Sequence, residues 1–168
     1  MFKKKVVLFG ASGHLGSYLS KTLINHNFCV KTPSRFEVNE ILNNKFKKEF
    51  FENSYLINTV AIVGKENSNS CLIDDLKLIN EEFPKKLSEG IKQHNSKLIH
   101  ISSNSVFDDS NNKVRCDKDL PSSKTKYGIS KINAEINIKS TLDYKKYIII
   151  RTPQQYSSNL DNPRNLLF

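Results

Sequence analysis

Several things are scarce in this sequence, and each scarcity excludes a class of protein. There are three cysteines, Cys29, Cys71 and Cys116. Odd in number and far apart, they match neither a metal-ligand spacing nor a disulfide framework, as expected of a reduced, cytosolic chain that binds no metal. No apolar run approaches the roughly 18 residues of a membrane span. The chain has the basic start of a signal peptide, Met1-Phe2-Lys3-Lys4-Lys5, but the apolar stretch behind it stops at Gly10. That is too short for a secretory core, and no cleavage site follows. Arginine is scarce as well: of 26 basic residues only Arg35, Arg115, Arg151 and Arg164 are arginines. The formal charge of +9 therefore comes from lysines scattered over the whole chain. With no basic helix face, interleaved aromatics or zinc pattern, nucleic acid is not an expected partner, whereas phosphorylated ligands would be attracted.

What is present is organised. The apolar residues, only 38 % of the chain, are clustered, and 168 residues suffice for one domain with a proper core. Short apolar runs alternate with longer amphipathic stretches, which predicts an α/β fold: a Rossmann-type doubly wound parallel sheet with helices on both faces. Strands are expected at Lys5–Phe9, Phe28–Thr32, Tyr55–Val60, Lys97–Ile101 and Tyr147–Arg151. Helices are expected at Gly13 to about Asn27, with Leu15, Leu19, Leu23 and Ile24 on one face, and at Glu37–Glu52. Two more follow, Asp74 to about His94 and Lys126 to about Lys139. In the third of these, Leu76, Ile79, Phe83, Leu87 and Ile91 recur at spacings of three and four, and Pro84 is expected to bend it. Polar loops are expected at Gly64–Ser70 and Ser102–Lys126.

Of six glycines, three fall in one loop, Gly10-Ala11-Ser12-Gly13-His14-Leu15-Gly16, between the first strand and the first helix. This wider-spaced relative of G-x-G-x-x-G permits a tight turn, lets the backbone approach a pyrophosphate and lets the helix pack close to the strand. The helix start then offers N–H groups and a partial positive charge to the phosphates. Gly10, Ser12, Gly13, His14, Leu15 and Gly16 are therefore candidate ligands of NAD(H) or NADP(H). Past the second strand, Thr32-Pro33-Ser34-Arg35 contains no carboxylate, and none appears until Glu37. Ser34 and Arg35 favour a 2′-phosphate, hence NADP(H), with NAD(H) second.

Tyr127-Gly128-Ile129-Ser130-Lys131 places a tyrosine and a lysine one helical turn apart. A nearby ammonium stabilises a phenolate and brings its pKa toward working pH, and the same lysine could hold a nicotinamide ribose. Ser102-Ser103-Asn104-Ser105-Val106-Phe107 leaves the preceding strand at its carboxyl end, where parallel sheets bind ligands. A serine hydroxyl there could hydrogen-bond a substrate carbonyl and the tyrosine.

The glycine loop, Asn58-Thr59-Val60-Ala61, Asn80, the Ser103 strand end, Tyr127-x-x-x-Lys131 and Arg151-Thr152-Pro153 together resemble an extended short-chain dehydrogenase/reductase. Gly13-His14-Leu15-Gly16, Leu98-Ile99-His100-Ile101-Ser102 and Ser105-Val106-Phe107-Asp108 are most similar to its dTDP-4-dehydrorhamnose reductase branch, with the NAD-dependent epimerases nearby. The resemblance implies Tyr127 as proton donor, Lys131 as its activator and ribose ligand, and Ser103 as the carbonyl-orienting hydroxyl. Thr59, Val60, Ala61, Ile101 and Ser102 would flank the cofactor. The implied substrate is a nucleotide sugar, reduced by hydride transfer to a keto carbon.

The sequence departs from that branch at Ser103-Asn104-Ser105, where Thr-Asp-Tyr is usual, at Asn39 in place of an aspartate, and at Asp109 in place of a glycine. Extended members also continue into a C-terminal substrate lobe. Residues 1–156 are thus expected to form the NAD(P)-binding domain, and 157–168 a tail opening a lobe that is lacking. The expected partners are a nucleotide-sugar substrate and either a second copy of the chain in a homo-oligomer or a partner chain supplying that lobe. The alternatives are a non-catalytic NAD(P)-binding regulatory module and a truncated, inactive family member.

Overall fold

The computed structural model describes residues 4–63, 70–108, 114–116 and 118–153, with only the backbone described for 70–72. Five parallel strands form one sheet: β1 (Lys5–Phe9), β2 (Cys29–Lys31), β3 (Tyr55–Asn58), β4 (Lys97–Ser103) and β5 (Tyr147–Thr152), in the order β2-β1-β3-β4-β5. The register sets Val7 beside Leu56, Leu56 beside Leu98 and Leu98 beside Tyr147. β1 reads as a continuous apolar run because both of its faces are covered, and Val6, Val7, Leu8 and Phe9 are all buried.

Strand order reverses at β1, and right-handed crossovers then send the connections to opposite faces. Among the described residues, helix α1 (His14–Asn25) lies alone on one face, where Leu19 and Leu23 pack on Val6, Leu8 and Ile57. The other face carries α2 (Arg35–Leu42), α3 (Lys48–Phe51), α5 (Phe83–Lys92) and α6 (Lys126–Thr141). There Val38, Ile41, Phe50, Phe51, Phe83, Leu87, Ile91, Ile138 and Leu142 close over Val7, Phe9, Leu56 and Leu98. Phe9 meets Phe83 edge-on at 5.5 Å between ring centres. The doubly wound sheet expected from the sequence is therefore present. On the α1 face the cover is thin: Ile148 and Ile150 of β5 remain 58 % and 42 % exposed.

Several expectations need correction. The helix expected over Glu37–Glu52 is two helices. Ser34 and Glu37 start α2 with a reciprocal capping box, Asn43 ends it, and Asn44 turns the chain at φ 63°. The first helix stops at Asn25, with Asn27 at φ 61° behind it, and Ile24 is 57 % exposed rather than on the packed face. The helix before Pro84 begins as α4 (Ser70–Asp75) and widens into a π-helical segment over Leu76–Glu82 before α5. Pro84 has no N–H to give and sits in the first turn of α5, so the wider turn accommodates it without a break. The extra residue per turn rotates the stripe, so Leu76 and Asn80 are buried while Ile79 is only partly so. The Gly64–Ser70 loop, Asp109 and the tail from residue 157 lie outside the described residues, save the backbone of Ser70. Among the described residues, no helix is long and apolar enough to cross a membrane.

Candidate active site

The carboxyl ends of β1, β3 and β4 converge at the reversal of strand order. After β1 the chain turns at Gly10, whose φ of +83° L side chains rarely adopt. A Cβ there would meet Thr59 Oγ1 at 2.6 Å, because Thr59 is folded back on β1 through its N–H and its hydroxyl, both bonded to the Phe9 carbonyl at 3.1 and 2.8 Å. The loops after β1 and β3 are thereby locked together. Gly16 is buried so closely on this turn that a Cβ would lie 2.0 Å from the Gly10 carbonyl oxygen. Gly13 opens α1 with no side-chain cap and with no acidic residue in the first turn. A helix start without its own oxygen cap, approached by a turn of small residues, fits an anionic group such as a pyrophosphate. Ser12 is exposed at the lip of the loop, and His14 and Leu15 are half-buried beside it.

The second part of the site is built by the start of α6 docking against the end of β4. Thr125 caps the helix, its hydroxyl accepting from the Gly128 N–H at 3.0 Å. Gly128 is required here: a Cβ would stand 2.3 Å from the Ser105 carbonyl oxygen and 2.0 Å from Ser123 Oγ. The same turn is held from the other side, where the Ser122 and Ser123 N–H groups donate to the Val106 carbonyl at 2.9 and 3.0 Å. This close approach brings Ser103 to Tyr127. The Ser103 hydroxyl accepts the Ser105 N–H at 3.1 Å and lies close enough to the Tyr127 phenol to act on its pKa. Burial pushes the Tyr127 pKa above its ordinary value, and Ser103 opposes that rise.

Lys131 is 1 % exposed, and its Nζ donates to the Ile101 carbonyl at 2.9 Å. Burial lowers its pKa to about 8, with the charge of Glu135 opposing. The sequence places Lys131 under Tyr127 as the group that lowers the phenol. In this structure the Lys131 ammonium is anchored on the Ile101 carbonyl of β4.

Five buried polar residues, Asn80, Ser130, Asn58, His100 and Glu135, tie the parts together. Asn80, turned inward by the π-helical segment, accepts the Ile62 N–H at 2.8 Å and donates to the Ile62 carbonyl at 2.9 Å and to Ser130 Oγ at 3.0 Å. Ser130 in turn donates to the Tyr127 carbonyl at 2.7 Å. Asn58 accepts the Val60 N–H at 3.0 Å and stands 3.2 Å from His100 Nδ1. With Nδ1 accepting, the His100 proton lies on Nε2, which is buried without a hydrogen-bond partner. Burial, and then the Lys131 charge, drive the His100 pKa well below the usual value, so the ring is neutral. Glu135 is fully buried between α6, β4 and β5.

Ser34 and Arg35 lie apart from this cluster. Ser34 is the cap of α2, its hydroxyl engaged with Glu37, and Arg35 is exposed at the first position of that helix. Val60 is half-buried and Ala61 exposed past β3, while Ser102 is buried beneath Ser103. Spacing alone missed Glu135 and Ser130, and Asn80 and His100 were visible only through the family resemblance.

A glycine turn at the end of β1, with Ser103 at the end of β4 and Tyr127 and Lys131 on α6, belongs to a Rossmann domain of the short-chain dehydrogenase/reductase kind. Residues 4–168 match the family described as RmlD substrate binding domain, and the chain belongs to that family. Among solved structures it is similar to dTDP-4-dehydrorhamnose reductase from Bacillus anthracis in complex with NADP, with a TM-score of 0.79 and 21 % identity over 95 % of this chain and 57 % of that one. It is also similar to a Clostridium acetobutylicum dTDP-4-dehydrorhamnose reductase, with a TM-score of 0.75 and 25 % identity over 92 % and 55 %. A third, UDP-N-acetylglucosamine 4-epimerase from Bacillus cereus, gives 0.66 and 19 % over 88 % and 58 %. The chain thus spans little more than half the length of these relatives. No curated protein matches it.

Proposed function

We propose that this chain is the cofactor-holding half of an NADP(H)-dependent nucleotide-sugar oxidoreductase, most similar to dTDP-4-dehydrorhamnose reductase. The observation that carries this reading is the uncapped Gly13 helix start at the carboxyl end of β1 in the same parallel sheet whose β4 ends at Ser103 and anchors Lys131, one turn after Tyr127 on α6. Solved relatives hold NADP or NAD. When bound, the dinucleotide would supply a hydride to a keto carbon. The chain's own groups would do the rest. Ser103 orients the carbonyl oxygen, and Tyr127 gives it a proton. A phenol pushed up by burial holds its proton at neutral pH, as a donor in a reduction must. Below about pH 8 Lys131 is an ammonium, and with one proton directed at Ile101 its others are the donors for a ribose hydroxyl. NADP(H) is favoured over NAD(H) because Glu37, the nearest carboxylate past β2, is engaged by Ser34 at 2.8 Å and Lys47 at 3.3 Å, while Arg35 is exposed beside it.

The test is NADPH binding followed by reduction of a nucleotide-linked 4-keto sugar, alone and with a chain supplying a substrate lobe. Tyr127→Phe is expected to bind NADPH as the parent does and to lose at least a hundredfold in turnover, the order expected of a general acid. Turnover unchanged by that substitution would overturn the catalytic reading. A second reading is a dinucleotide-binding module without turnover of its own. NADPH binding with no reduction in any of these mixtures is its signature.

A further inference from the structure

Glu135 stands one helical turn beyond Lys131 and is 1 % exposed. Four donor atoms from three side chains converge on its carboxylate. Ser102 Oγ donates at 2.7 Å from β4, Arg151 Nε and Nη2 donate at 2.9 and 2.7 Å from β5, and Lys139 Nζ approaches at 3.4 Å along α6. Arg151 is itself stacked over the Phe107 ring at 5.1 Å. These bonds hold Glu135 ionised below the ordinary carboxylate range despite its burial. An anion so thoroughly satisfied is costly to bury and needs a reason to be there. Its place suggests one, since Ser102 precedes Ser103, Arg151 ends β5, and Lys131 shares its helix.

We propose that Glu135 is a positioning residue of the site: it fastens the Ser102–Ser103 strand end to the helix bearing Tyr127 and supplies the countercharge that keeps buried Lys131 cationic. That this matters for a dinucleotide rests on the function proposed above, whereas the countercharge itself does not. The groups facing Lys131 are few. From β4 come the Ile101 carbonyl and the neutral His100 ring, and on α6 itself lie Tyr127 and Glu135. Arg151 and Lys139 act on Glu135, and Glu135 is the charge that acts on Lys131. Removing the negative charge while keeping the shape should therefore leave Lys131 to lose its proton at lower pH.

The experiment compares unfolding free energies across pH for parent against Lys131→Met, and for Glu135→Gln against Glu135→Gln/Lys131→Met. Each difference reports the proton on Lys131 without any ligand. The parent pair is expected to change between about pH 8 and pH 10.5, with a midpoint near pH 9, and the Glu135→Gln pair to begin changing about one pH unit lower and so to have a lower midpoint. Where Glu135→Gln folds too weakly because Arg151 is left unpaired, Glu135→Gln/Arg151→Gln serves in its place with the same expected direction. Equal midpoints in the two pairs overturn the proposal. NADPH titrations run in parallel separate the two layers. Affinity should fall as pH rises through about 8 in the parent and at lower pH in Glu135→Gln, and Glu135→Asp, which keeps the charge, should restore the parent midpoint. Should the parent bind no NADPH at all, the proposed function falls, and the stability midpoints alone still decide the role of Glu135.

Discussion

Replacing Lys131 with methionine should make this protein more stable at neutral pH, although Lys131 lies at the centre of its candidate site. The reasoning starts from burial. An ammonium that is 1 % exposed has lost its water, and one hydrogen bond to the Ile101 carbonyl replaces little of it. The fall in pKa from 10.5 to about 8 measures that imbalance, and at about 1.4 kcal/mol per pKa unit it corresponds to about 3 kcal/mol. The sign follows from linkage. The folded state binds the proton less tightly than the unfolded chain does, so the penalty is complete below about pH 8 and is relieved as pH rises toward 10.5. Methionine fills a similar volume without the charge but leaves the Ile101 carbonyl unsatisfied, at a cost of about 1–2 kcal/mol. The net expectation at pH 7 is a gain of about 1–2 kcal/mol, or several degrees in Tm for a chain of this size. Between pH 7 and pH 9.5 the advantage of the methionine variant should shrink by about 2 kcal/mol. Tyr127 titrates in both proteins and largely cancels in the difference. Denaturant unfolding at five or six pH values is the assay. An advantage that stays flat across pH, or a variant less stable than the parent at pH 7, would refute the account of a strained lysine.

Other perturbations test the scaffold. Gly16→Ala places a methyl 2.0 Å from the Gly10 carbonyl oxygen, so α1 must withdraw from the loop; calorimetric titration should show more than tenfold weaker NADPH binding, with about 1–3 kcal/mol of stability lost. Asn80→Ala leaves both backbone groups of Ile62 and the Ser130 hydroxyl without their partner, and should cost about 2–4 kcal/mol in urea unfolding. Arg35→Ala should weaken NADPH binding about fivefold while leaving NADH unchanged, since an exposed ion pair contributes about 1 kcal/mol at most; equal loss for both cofactors would remove Arg35 from the site.

The parts of the fold that were readable from sequence are those set by local rules. β1 was readable because an apolar run ends abruptly in glycine, and α6 because Tyr127, Lys131, Ala134 and Ile138 keep helical spacing. The long amphipathic stretch to His94 was readable as helix, but its π-helical turn was not. That turn is chosen by the need to carry Pro84 and to aim Asn80 at Ile62 and Ser130, neither of which is a neighbour in sequence. Likewise Glu37 was legible as the first carboxylate past β2, but its engagement by Ser34 and Lys47 was not. Glu135 was silent for the same reason. In the sequence it is one polar residue on a polar helix, and only the pairing of β4 with β5 brings Ser102 and Arg151 to it.

The lone position of α1 has a dynamic consequence. Its one buried residue is Gly16, and only Leu19 and Leu23 lean on the sheet, whereas α5 and α6 are gripped by the large aromatic core and by each other. Local opening of α1 therefore requires less free energy than opening of the helices opposite. The glycine turn is mounted on a helix less deeply packed than α5 and α6. A ligand held by the first N–H groups of α1 would also clamp that helix to the sheet, so its affinity and the persistence of α1 against amide exchange become two readings of a single equilibrium.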